Sequence, residues 1–97
     1  MKAIMIVYNQ ALTEKIDLIL DTLKIRGFTK WENVMGRGNE KGEPRMGSHT
    51  WPEMNSSTLV IIDDEKVNIL LDATKKLDAI NDEVGVRAFV WNIETMI

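Results

Sequence analysis

Gly36-Arg37-Gly38-Asn39-Glu40-Lys41-Gly42-Glu43-Pro44-Arg45-Met46-Gly47-Ser48-His49-Thr50-Trp51-Pro52-Glu53-Met54-Asn55 separates two similarly patterned halves of the chain, and that separation decides the fold. The stretch holds four of the six glycines, both prolines and the only histidine. Connections longer than about 12–15 residues are uncommon inside compact domains and usually serve binding or stay unordered. A loop of this composition is expected to make contacts outward, with the flanking halves as its scaffold.

Working outward, Lys2 to Tyr8 is a continuous apolar run, the pattern of a central strand covered on both faces. Leu12, Ile16, Ile19, Leu20 and Leu23 then recur at helical spacing, with Gly27 as the expected stop. Phe28 to Met35 alternates: Thr29, Trp31, Asn33 and Met35 share one side, Phe28, Lys30, Glu32 and Val34 the other. Beyond the loop the order repeats. Thr58 to Ile62 reads as a buried strand, and Asp63-Asp64 can cap a helix whose apolar stripe is Val67, Leu70, Leu71, Thr74 and Leu77. A polar turn from Asp78 to Glu83 leads to a last strand, Val86 to Ile93. The order βαββαβ implies an α+β, ferredoxin-like domain over residues 1–97: a four-stranded antiparallel sheet with two helices on one face and a long mobile loop, 36–57, between strands two and three. Trp31, Met35, Phe89 and Trp91 either cover the second sheet face or turn toward the helices. The first arrangement leaves an apolar patch that calls for an oligomer.

Composition narrows the function classes. Twelve basic residues stand against fifteen acidic ones, net −3 and interspersed, so there is no electrostatic footprint for nucleic acid or an anionic membrane. The absence of cysteine excludes disulfides, thiolate metal sites and cysteine nucleophiles. The apolar N-terminus is too short to span a bilayer, so no membrane insertion is expected and a cytoplasmic location is the default. No nucleophile motif flanks His49, and no carboxylate pair suggests acid–base work, so a non-enzymatic role is expected.

Gly27-Phe28-Thr29 followed by Gly36-Arg37-Gly38-Asn39-Glu40-Lys41-Gly42 resembles the PII signal-transduction proteins, whose second strand starts Gly-x-Thr and whose long loop opens Gly-x-Gly-Arg-Gln-Lys-Gly. The resemblance covers element order over nearly the whole chain. It implies a homotrimeric regulatory sensor that holds a small effector, an adenine nucleotide or related anion, in clefts between subunits and docks on a target protein through loop 36–57. Carried over residue by residue, it nominates Gly27, Thr29, Gly36, Arg37, Gly38 and Lys41 as binding residues. Glycines let backbone N–H groups approach phosphates, and a lysine supplies a point charge. The same Gly-x-Gly also suits a simple hinge.

The chain departs from that pattern in two places. The family's Gly-Asp-Gly-Lys turn before the last strand is reduced to Glu83-Val84-Gly85-Val86-Arg87, leaving Gly85 and the cation of Arg87. The family's basic C-terminal extension has no counterpart before Ile97. ADP or AMP is therefore expected ahead of ATP. An alternative reading uses Met46, His49 and Met54, with Trp51 among them, as a soft-metal set for Cu(I) in a metal-binding or metal-tolerance protein. Packing of the loop onto its scaffold accounts for the same residues, as does an interaction module with no ligand.

Overall fold

The computed structural model describes residues 1–38, 42–80 and 85–97. Strand β1 (Lys2–Asn9) is followed by a 3-10 turn (Gln10–Leu12), helix α1 (Thr13–Thr22), strands β2 (Thr29–Val34) and β3 (Asn55–Ile62), helix α2 (Asp64–Ile80) and strand β4 (Val86–Asn92). One four-stranded sheet forms in the order β2-β3-β1-β4, and each neighbouring pair is antiparallel. This is the expected ferredoxin-like α+β arrangement. The apolar run of β1 does sit mid-sheet, paired on both edges.

The register divides the side chains between two faces. Ile4 lies opposite Val60 and Val90, Ile6 opposite Thr58 and Ala88, and Tyr8 opposite Ser56 and Val86. This face carries the helices. Ile4, Ile6, Tyr8 and Val60 join Leu12, Ile16 and Leu20 of the first helical segment and Leu70 and Leu77 of α2 in one buried cluster. Inside it the Tyr8 hydroxyl and Thr58 Oγ1 share a hydrogen bond of 2.8 Å, which satisfies two polar groups that burial would otherwise strand.

On the other face Met5 lies opposite Leu59 and Phe89, and Ala3 opposite Ile61 and Trp91, while Trp31 of β2 pairs with Ser57. Among the described residues no helix covers it, and Trp31, Phe89 and Trp91 are all exposed. The expected alternation of β2 breaks at a bulge between Trp31 and Val34, where Asn33 takes a left-handed φ of 58°. The extra residue brings Val34, opposite Asn55, onto the same face as Trp31 instead of the reverse face.

Three boundaries differ from expectation. Helix α1 ends at Thr22 rather than running to Gly27, because Lys24 adopts φ 59° and the Ile25 N–H closes back on Leu20 O at 2.8 Å. This is a Schellman-type stop built without glycine. Helix α2 runs to Ile80, past the polar turn expected from Asp78. Strand β3 starts at Asn55, three residues ahead of Thr58, so Asn55, Ser56 and Ser57 belong to the sheet and not to loop 36–57. Asp64 opens α2, where negative charge favours the helix N-terminus, but its carboxylate also pairs with the N-terminal ammonium at 3.1 Å. That hydrogen bond holds its pKa below the ordinary value. Among the described residues no helix is long and apolar enough to cross a membrane.

Candidate functional site

The ends of β1 and β2, the starts of β3 and β4 and the base of the long loop converge at one edge of the open face. Together they line a cleft of about 770 Å³. Val7, Val34, Met35 and Phe89 form its apolar wall. Gly36, Arg37, Gly38, Gly42, Glu43 and Arg45 come from the loop, and Gly85 and Arg87 from the entrance to β4. Glu53 and Asn55 complete it.

Local bonding explains why these distant residues meet. Gly36 and Arg45 exchange both backbone hydrogen bonds, at 2.8 and 2.7 Å, so the loop folds back as a narrow antiparallel bridge. A Cβ on Gly36 would lie 2.9 Å from Asn55 Nδ2, so glycine lets the loop base lie against β3 without displacing the Asn55 amide. The Asn55 amide oxygen accepts from Arg45 Nη1 at 2.8 Å. At β4, Gly85 has φ +70°, a conformation that glycine adopts without the Cβ penalty. A Cβ there would also lie 3.2 Å from Arg45 Nη2, so the guanidinium rests against the glycine backbone. Arg37 Nε donates to Gly42 O at 2.8 Å. Asp78, near the end of α2, anchors β4: its Oδ1 accepts from the Val86 N–H at 2.8 Å and its Oδ2 lies 3.5 Å from Arg87 Nη1.

The chemistry of the cleft follows from its lining. Among the described residues three guanidinium groups (Arg37, Arg45, Arg87) face two carboxylates (Glu43, Glu53) beside an apolar wall carrying one aromatic ring. A flat apolar group with a modestly anionic tail fits that combination.

Of the residues nominated from sequence, Gly36, Arg37, Gly38, Gly85 and Arg87 share this cleft. Gly27 and Thr29 do not. Thr29 opens β2 opposite Leu59, and Gly27 lines a shallow depression with Met1, Arg26 and Asp63 at the opposite end of the sheet. Lys41 lies outside the described residues. Sequence reasoning missed Arg45, Asn55 and Phe89. Arg45 becomes visible only through its bridge to Gly36, which has no periodic signature, and Asn55 only once β3 is extended to include it.

The candidate metal residues occupy the far part of the loop. Met46 N–H and Ser48 N–H both reach Trp51 O, at 3.3 and 2.9 Å, and Gly47 N–H reaches Glu53 O at 3.2 Å, which gives this segment its own turn. Met46 and His49 are exposed, while Met54 is half-buried with its thioether packed against Gly47. Among the described residues there is no group of three or more His, Cys, Asp or Glu that could hold a metal ion.

A second polar centre lies across the sheet. Lys30 Nζ bonds Asp17 Oδ2 at 2.8 Å and sits 5.5 Å from the centre of the Phe28 ring. The Asp17 hydrogen bond raises the Lys30 pKa, and burial raises that of Tyr8 close by.

A family model described as Nitrogen regulatory protein P-II matches residues 1–97. No curated protein sequence matches the chain significantly. Among solved structures, CPII, a nitrogen regulatory PII-like protein from Thiomonas intermedia K12 bound to ADP, AMP and bicarbonate, superposes with a TM-score of 0.74 at 20% identity, covering 95% of this chain and 88% of its own. CPII bound to ADP and bicarbonate gives 0.76 at 21% identity, over 95% and 84%. A PII-like signaling protein from Thermus thermophilus gives 0.65 at 21% identity, over 95% and 85%.

Proposed function

Because the chain belongs to the nitrogen regulatory protein P-II family, we propose that it is a regulatory protein that binds an adenine nucleotide, ADP or AMP, in the cleft at the loop base. The observation that carries this reading is the convergence of Gly36, Arg37, Gly38, Gly85, Arg87 and Arg45 on a single cleft with an apolar wall. Phe89, Val7 and Val34 would receive the base, and the guanidinium groups the phosphates. Two carboxylates in the same lining favour ligands with fewer charges than ATP. ADP and AMP are also the nucleotides bound to CPII.

The site is read as intersubunit. Gly27 lies at the opposite end of the sheet from the cleft and Thr29 pairs with Leu59 at mid-sheet, outside the cleft lining, so in this reading a neighbouring copy of the chain supplies them. The open apolar face supports a homotrimer of cyclic symmetry, which buries it in a closed assembly. Target docking is assigned to the outer loop, where Met46 and Trp51 are exposed, and a cytoplasmic location suits such a regulator. Titration calorimetry with AMP, ADP and ATP tests the reading: saturable heat is expected with ADP or AMP, weaker with ATP. No heat from any of the three up to millimolar concentration would overturn it.

A further inference from the structure

Glu14, Asp17, Leu18 and Asp21 recur at helical spacing and share one face of α1, beside the buried Ile16–Leu20 stripe. This face does not join the core. With Arg26 and Phe28, which precede β2, it lines a groove of about 710 Å³ on the helix-bearing side of the sheet. None of the described residues in its lining belongs to the cleft. β2 is an edge strand, so among the described residues no further strand closes the groove from the side. Leu18 and Phe28 are 64% and 51% exposed. We propose that this groove is a docking surface for a basic segment of a partner protein, with an arginine or lysine head among the three carboxylates and its aliphatic stem on Leu18 and Phe28.

The charge of the lining selects the occupant. Glu14, Asp17 and Asp21 stand against one guanidinium, Arg26. Neither Glu14 nor Asp21 is in an ion pair among the described residues. The chain already shows the same recognition with its own lysine. Lys30 Nζ bonds Asp17 Oδ2 at 2.8 Å and lies 5.5 Å from the centre of the Phe28 ring, so a carboxylate and an aromatic face hold one cation together. Lys30 leaves part of that carboxylate unused. Asp17 Oδ1 is buried with no hydrogen-bond partner among the described residues, although an ionised carboxylate accepts at both oxygens. The carboxyl torsion is soft, so turning Asp17 can meet a donor that enters the groove. A long basic side chain suits the lining because its stem covers apolar surface while its head stays charged. An acidic segment would meet three like charges. The groove lies on the side of the sheet away from the open apolar face, so assembly through that face would leave it free.

Amide NMR of the full chain tests this at physiological ionic strength, where exposed charges more than about 8 Å apart are largely screened. The probes are the peptide acetyl-Arg-Leu-Arg-Leu-Arg-amide, its glutamate counterpart and spermine. Saturable shifts confined to residues 14–21 and 25–30 are expected with the arginine peptide, and none with the glutamate peptide. The double variant Glu14→Gln, Asp21→Asn changes only exposed side chains. It should keep its thermal midpoint and bind the arginine peptide about fivefold more weakly or worse. Phe28→Leu keeps the apolar contact but loses the ring, and should weaken the peptide about threefold. Absence of shifts up to millimolar peptide, shifts spread beyond the groove, or equal affinity in the double variant would overturn the proposal. Displacement of the peptide by an equal concentration of spermine would overturn it too, by showing attraction to charge alone.

Discussion

At the scale of single residues, two glycines of the cleft make opposite demands. Gly85 holds φ +70° with Arg45 against it, whereas a Cβ on Gly38 would meet nothing within 4 Å. Gly85→Ala should therefore cost about 1–2 kcal/mol of stability, read as a lowered denaturation midpoint. Gly38→Val should leave stability nearly unchanged and weaken nucleotide binding alone, because only a ligand would occupy the space it fills. A Gly38→Val protein with wild-type affinity would take Gly38 out of the site. Tyr8 makes a pH prediction. Burial raises its pKa above the ordinary 10.0, and the Asp17 hydrogen bond raises that of Lys30 above 10.5. Both groups keep their protons longer when folded, so their contribution is complete below those ordinary values and is lost as pH rises beyond them. Stability should fall on alkaline titration from about pH 10 upward, and Tyr8→Phe should blunt that fall. The same variant should cost roughly 1–2 kcal/mol at neutral pH, since it leaves the buried Thr58 hydroxyl without its 2.8 Å partner.

At the scale of elements, the strands and helices were legible because each carries a periodic apolar pattern. The β1 run, the Ile16–Leu20 stripe and the Leu70–Leu77 stripe all supply the core. What stayed hidden depends on contacts with no period. Lys24 stops α1 in a left-handed turn that side-chain type does not announce, and the β2 bulge turns Val34 over by inserting one residue between Trp31 and Val34. The cleft was half legible: the glycines and Arg87 carry a motif, while Arg45 and Asn55 enter through pairing across the loop. The described loop residues contribute nothing to the buried cluster. Deleting Glu43 to Pro52 should therefore leave the thermal midpoint nearly unchanged in a circular dichroism melt, while removing the Arg45 bridge and with it tight nucleotide binding. A large loss of stability on deletion would show the loop to be part of the scaffold.

At the scale of the whole molecule, the sheet has one covered and one open face, and the open face presents Trp31, Phe89 and Trp91 at 46%, 54% and 47% exposure in the single chain. Exposed apolar patches of this kind commonly mark interfaces, and in the proposed reading three copies around one axis cover this one. Phe89 stands on both this face and the cleft wall, so the proposed assembly and the proposed ligand site would share a residue. Phe89→Asp should weaken both together. The most direct test of a trimeric nucleotide sensor is native mass spectrometry of the protein with added ADP. A trimer carrying up to three ADP molecules is expected, with occupancy reduced in Arg45→Gln. A monomer that takes up no nucleotide would contradict it.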